Sequence, residues 1–145
     1  MAGKNTQAKT TDDVAEWLPF YPQGVPPKEA HDAEGDFFRL AKSKPPKPEC
    51  FQSMFEEKPK RMKKFSGASL KCCYGVSLYS KEESVVNAFD KFPEGAGDFY
   101  IAKGSLRAEH GKLMKTFSDP AHYTLWLKLD NNVHKDFISG QRLTK

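Results

Sequence analysis

The sequence predicts an α+β domain, built on a small mixed or mainly antiparallel sheet with one or two short helices and a proline-rich N-terminal arm. Three observations carry that prediction. Short runs with a two-residue hydrophobic period recur between Gly, Pro and Asn punctuation. A strong helix start stands ahead of Val85, Val86 and Phe89. The links between the later strands are too short for helical crossovers, which favours antiparallel pairing. At 145 residues the chain has the length of one domain, assigned to residues 13–145 behind a disordered tail at 1–12.

The tail is small, polar and lysine-bearing, with too little apolar surface to offset the entropy of ordering. "VAEWLPFYPQGVPPKEA" follows, with Pro19, Pro22, Pro26 and Pro27 among Trp17, Phe20, Tyr21 and Val25. Proline fixes φ and disfavours helix in the residue before it, so this arm is expected to run extended, with at most a turn of helix at 12–18. "DFFRLAK" at 36–42 is the first strand, with Phe38 and Leu40 on one face and Phe37, Arg39 and Ala41 on the other. Phe51, Met54 and Phe55 then stand at helical spacing, Pro48 being tolerable in a first turn and Pro59 acting as the stop.

"SLKCCYGVSLYS" at 69–80 reads as the second strand, bulged at Gly75. Ser80 and Glu83 make an S-x-x-E capping box for a helix at 81–91, closed by Pro93, Gly95 and Gly97. "DFYIAKG" at 98–104 is the third strand, and another is expected at 112–117. In "AHYTLWLKLD", 121–130, alternation sends Tyr123, Leu125, Leu127 and Leu129 into a core and places His122, Thr124, Trp126 and Lys128 on the opposite face. Asn131 and Asn132 turn the chain toward a short terminal turn of helix.

Lys+Arg 23 against Asp+Glu 19 leaves a net charge of +4, too mild for an arginine-rich nucleic-acid arm but permitting an acidic partner. No apolar run approaches the ~18 residues of a membrane span. The N-terminus also lacks the apolar core of a signal peptide, so the expectation is a cytoplasmic protein that does not meet a membrane. Cys50, Cys72 and Cys73 are odd in number and two are adjacent, a pattern of reduced thiols. With no C-x-x-C pair, adjacent cysteines on opposite faces of a strand and histidines without ligand spacing, neither a metal nor a cofactor is expected.

Three constellations point to chemistry. His110, in a glycine-containing loop, and His122, on the strand that follows, converge if the chain between them folds as a hairpin; with Arg39 or Lys112 as a cation, two histidines can cleave RNA. The H-x-T at 122–124 is half of the arrangement of two-histidine phosphoesterases, but His31, His110 and His134 are followed two residues on by Ala33, Lys112 and Asp136, which excludes that family. Secondly, Arg39 in "FFRL" and Ser77 in "GVSLYS" stand in the order used by mono-ADP-ribosyltransferase folds, which the chain resembles over these few residues. That resemblance implies Arg39 and Ser77 clamping NAD; no E-x-E follows, and Glu109 is the late acid near a strand start.

The third constellation is a binding surface. Lys58, Lys60, Arg61, Lys63 and Lys64 form the densest positive cluster, either a solvated loop or a phosphate-contacting one. Trp126, with Tyr79, Tyr100 and Lys128, would add stacking, as single-strand readers use, unless the arm bearing Trp17 and Phe20 covers that face. The sequence therefore points to a binding protein that meets a protein or nucleic-acid partner through the basic segment and an aromatic sheet face. RNA cleavage by His110 and His122, or ADP-ribosyl transfer by Arg39 and Ser77, are the enzymatic alternatives.

Overall fold

The computed structural model describes residues 16–91 and 98–144. In chain order the strands are β1 (His31–Asp32), β2 (Gly35–Ala41), β3 (Val76–Tyr79), β4 (Asp98–Leu106), β5 (Gly111–Lys115), β6 (His122–Leu127) and β7 (Phe137–Thr144). Among the described residues there are three short α-helices, α1 (Met54–Glu57), α2 (Gly67–Cys72) and α3 (Glu82–Asp90), together with 3-10 turns at Pro48–Phe51, Pro59–Lys64, Ala108–His110 and Val133–Asp136. None of these helices is long and apolar enough to cross a membrane. The expected tail at 1–12, most of the turn at 12–18, and the helix stop at Pro93, Gly95 and Gly97 lie outside the described residues.

The strands form one seven-stranded sheet in the order β1-β5-β6-β3-β2-β4-β7. Every neighbouring pair is antiparallel. β5 and β6 are a hairpin in register from Gly111↔Leu127 to Lys115↔Tyr123. β2 pairs with β4 along its whole length, yet meets β3 in register at Phe38↔Tyr79 alone. The sheet therefore splays between β2 and β3, and side chains enter the gap.

Alternation settles the core. Phe37 and Ala41 of β2, Val76 and Leu78 of β3, Leu113 of β5 and Leu125 and Leu127 of β6 meet on one face with Phe51 and Phe137. The opposite face is covered as well: Trp126 is fully buried against Val25, Ala30, Tyr21, Cys72 and Tyr74. Backbone pairing brings the covering segment there. Trp17 forms an antiparallel bridge with Lys128, the Leu129 amide donates to the Glu16 carbonyl at 2.8 Å, and the Leu127 amide donates to the Tyr21 hydroxyl at 2.8 Å.

Several expectations need correction. Residues 67–72 are helical where a strand was expected: Ser66 is the N-cap, its carbonyl accepting from the Leu70 amide at 3.4 Å, and the Cys73 amide closes the last turn on the Leu70 carbonyl at 3.0 Å. Cys72 and Cys73 therefore end a helix and do not straddle a strand. Gly75 marks a close approach: a Cβ there would overlap the Thr124 side chain. The Phe51/Met54/Phe55 stripe divides into the Pro48 turn and α1, whose cap is the box made by Ser53 and Glu56. α3 starts from Lys81 without a side-chain cap, so the Ser80/Glu83 box does not form. Leu129 is 44% exposed, β6 having ended at Leu127. The C-terminal segment adds an edge strand after its 3-10 turn, pairing with β4 through a bulge between Tyr100 and Ala102.

Candidate functional site

The β3–β6 register places Ser77 opposite Thr124 and Tyr79 opposite His122. Residues directly opposite share a face, so Ser77 and His122 are diagonal neighbours, within reach of an imidazole. Ser77 is exposed, whereas His122 is 8% exposed. The His122 Nε2 lies 3.1 Å from the Ser77 Oγ. On its other side, Nδ1 lies 2.9 Å from the Thr116 Oγ1 and 3.2 Å from the Thr116 carbonyl oxygen.

These contacts define a tautomer. A carbonyl can only accept, so Nδ1 carries the proton and donates it toward Thr116, which leaves the Nε2 lone pair to accept from the Ser77 hydroxyl. Thr116 is held in turn by Thr124, their hydroxyls being 2.8 Å apart. Burial lowers the His122 pKa below the ordinary histidine value, outweighing the Thr116 carbonyl and the Asp119 carboxylate, which favour the charged ring. The ring is thus a neutral base at pH 7 with its lone pair on an exposed hydroxyl.

Arg39 enters through the splay. Its Nε donates to the Cys50 carbonyl at 2.7 Å, Nη1 to the Ser77 carbonyl at 2.7 Å and Nη2 to the Gln52 carbonyl at 3.3 Å. The guanidinium replaces the ladder that β2 and β3 fail to make, and ties both the 48–53 segment and the Ser77 backbone to the sheet. Arg39 therefore touches Ser77 at its backbone carbonyl. Glu109 is not with them: it pairs with Arg107 at 3.1 Å, beside His110.

Ser77 opens into a cleft of ≈ 220 Å³, lined also by Arg39, Glu57, Lys58, Arg61, Phe65 and Phe117. That volume suits a phosphate or a single ring, with the remainder of a ligand lying outside. The basic cluster folds as the Pro59–Lys64 turn, whose Lys60, Lys63 and Lys64 are exposed while Lys58 and Arg61 face the cleft half-buried. Phe117 sits at the turn of the β5–β6 hairpin with φ 63° and is 50% exposed. A bulky residue in the left-handed region is strained, by about 1–3 kcal/mol. Its ring meets His122 edge-on at 5.2 Å and Phe65 at 6.4 Å.

The remaining sequence candidates lie elsewhere. His110 is fully buried, accepts from the Arg107 amide at Nδ1 (2.9 Å) and donates from Nε2 to Asp136 at 2.7 Å. It sits beside Lys128, past the far end of β6 from His122, at a strand distance of about 20 Å. The two histidines do not converge, and His110 serves as a bolt between two 3-10 turns. Trp126 is no stacking surface, since it is fully buried and donates to the Lys71 carbonyl at 3.0 Å. Lys128 pairs with Glu16 at 3.3 Å and stands over the Trp17 ring. Lys112 pairs with Asp32 at 2.8 Å.

Phe65, Phe117 and Thr116 were not singled out from sequence. Ser118, Asp119 and Pro120 after Phe117 are turn residues, but neither the strained backbone of Phe117 nor its partner ring is local information. Among the described residues no three His, Cys, Asp or Glu side chains cluster as a metal site would need. No protein-family model, curated protein or solved structure matches this chain.

Proposed function

We propose that this chain is a binding module for single-stranded nucleic acid, which it takes along the Pro59–Lys64 turn with one nucleotide seated in the Ser77 cleft. The observation that carries this reading is that Phe117, half-exposed on a strained backbone, lines the same cleft as Lys58 and Arg61. An aromatic ring beside clustered cations is the chemistry that stacks a base and balances its phosphate. Lys60, Lys63 and Lys64 extend that positive surface outside the cleft. In this reading residues 13–145 act as one cytoplasmic domain, and the proline-rich arm roofs the Trp126 end of the sheet, leaving the Ser77 end to the ligand.

The test is fluorescence anisotropy with labelled twelve-nucleotide oligo(U) and oligo(dT) across a salt series. Affinity should fall as salt rises. Lys60→Ala with Lys63→Ala should flatten the log–log salt slope by about 1.4, two single-strand phosphate contacts' worth. Phe117→Ala should weaken binding by ~1–3 kcal/mol with the slope unchanged. Failure of both oligonucleotides to bind at low salt sinks the proposal.

A further inference from the structure

A binding groove requires neither an exposed serine on a neutral histidine nor an oriented proton on the far side of that ring. From the Ser77–His122–Thr116 chain we infer that the cleft is also a phosphodiester-cleaving site, in which Ser77 is the nucleophile and His122 its general base. The inference rests on the nucleic-acid reading for its substrate, and on geometry of its own for its chemistry.

That geometry has three parts. The Ser77 Oγ lies 3.1 Å from Nε2, the ring nitrogen left as acceptor once Nδ1 donates to the Thr116 carbonyl. Serine hydroxyls are weak nucleophiles until such a base takes the proton, and a base oriented by a third group is the arrangement that activates them. Ser77 is exposed to the cleft while the imidazole behind it is 8% exposed, so a substrate reaches the hydroxyl before the base. The same cleft is lined by Arg39, Lys58 and Arg61 against the Glu57 carboxylate, which is itself paired with Lys42, so cations outnumber acids in its walls, a balance that favours a phosphorus centre gathering negative charge in the transition state.

The step balances without a co-reactant other than water. Ser77 Oγ bonds to phosphorus as its proton passes to His122 Nε2, the P–O bond to the leaving alcohol breaks, and that oxygen takes the proton from Nε2. A phosphoseryl diester remains. Water then attacks the same phosphorus, giving its proton to Nε2, and the Ser77–phosphorus bond breaks with return of that proton to Oγ. Thr116 acts as a positioning residue throughout, holding Nδ1.

The first experiment treats the full-length protein with diisopropyl fluorophosphate and reads intact mass and the labelled peptide. Attack forms an Oγ–P bond and expels fluoride, so label should appear on Ser77. His122→Gln should slow labelling by on the order of 10²-fold or more. Ser77→Ala, a change at an exposed strand position, keeps the comparison valid if the histidine variant misfolds, and should abolish both labelling and turnover of bis(4-nitrophenyl) phosphate. No label on Ser77 in the wild-type protein overturns the inference; label without turnover overturns the phosphodiester assignment. Oligonucleotide binding without labelling would remove this inference and leave the binding reading standing, whereas labelling and turnover without oligonucleotide binding would do the reverse.

Discussion

Arg39 shows how one side chain can be decided by what it replaces. A buried carbonyl without a donor costs about 1–3 kcal/mol, and a charged donor contributes about 1.5–3 kcal/mol per hydrogen bond. Arg39 serves three carbonyls, on Cys50, Gln52 and Ser77, at a place where β2 and β3 have parted. Its aliphatic stem also stands on the β2 face that carries Phe37 and Ala41, with its guanidinium 5.7 Å from the Phe51 ring centre. Arg39→Met, which keeps the stem and removes the donors, should lower the unfolding free energy by at least ~1.5–3 kcal/mol. Urea denaturation followed by circular dichroism measures this, and an unchanged midpoint would show that the guanidinium does not hold the gap closed. As a residue, Arg39 was legible as charged within an apolar strand; its partners were not, since they are carbonyls from segments 11 to 38 residues away.

β6 is the element on which both faces depend. Tyr123, Leu125 and Leu127 pack into the main core, while Thr124 and Trp126 are buried on the other side. The alternation of "HYTLWLKLD" was readable, and so was the choice between an exposed and a roofed Trp126, but not its outcome. Trp126→Ala removes the largest fully buried side chain and its donation to the Lys71 carbonyl, so it should destabilise the protein by ~3–5 kcal/mol. The loss should spread to the Val25–Ala30 segment, read as earlier amide hydrogen exchange there. Wild-type stability in the alanine variant would mean that this face is not packed as described. α2 went the other way: the stretch around Cys72 and Cys73 was read as part of a strand, and it folds as a helix ending at Cys72, with the strand beginning only at Val76.

Stability against pH belongs to the whole molecule. His122 has a folded pKa below the ordinary value near 6.5 because of burial, so the unfolded chain takes its proton first. The stability this gives is complete above pH 6.5 and is lost as pH falls through the folded value, at up to about 1.4 kcal/mol per pH unit. Asp136 is held below the ordinary aspartate value, chiefly by its hydrogen bond from His110 and then by Arg107, so its contribution is present above pH 3.8 and is lost below that as the carboxylate protonates. Urea midpoints should therefore fall between pH 7.5 and 5.5 and again toward pH 3.5. His122→Gln should flatten the first fall; an equal slope in that variant would assign the loss to another group.

From residue types and their spacing alone, the chain was legible as an α+β protein with a small mixed or mainly antiparallel sheet, with β2 and β4 placed closely, β6 placed but carried past its end at Leu127, and the basic cluster named. Those properties follow from period, turn residues and charge, all of which are local in sequence. The site was not local. Ser77 and His122 are 45 residues apart and meet because β3 and β6 pair in one register, a slip of one residue in which would turn either side chain to the other face. His110 and His122, only twelve residues apart, are separated because a hairpin strand holds them at its two ends. Strand pairing is a contest among distant segments for the same edge, and its result resides in the packed sheet and not in any window of the chain.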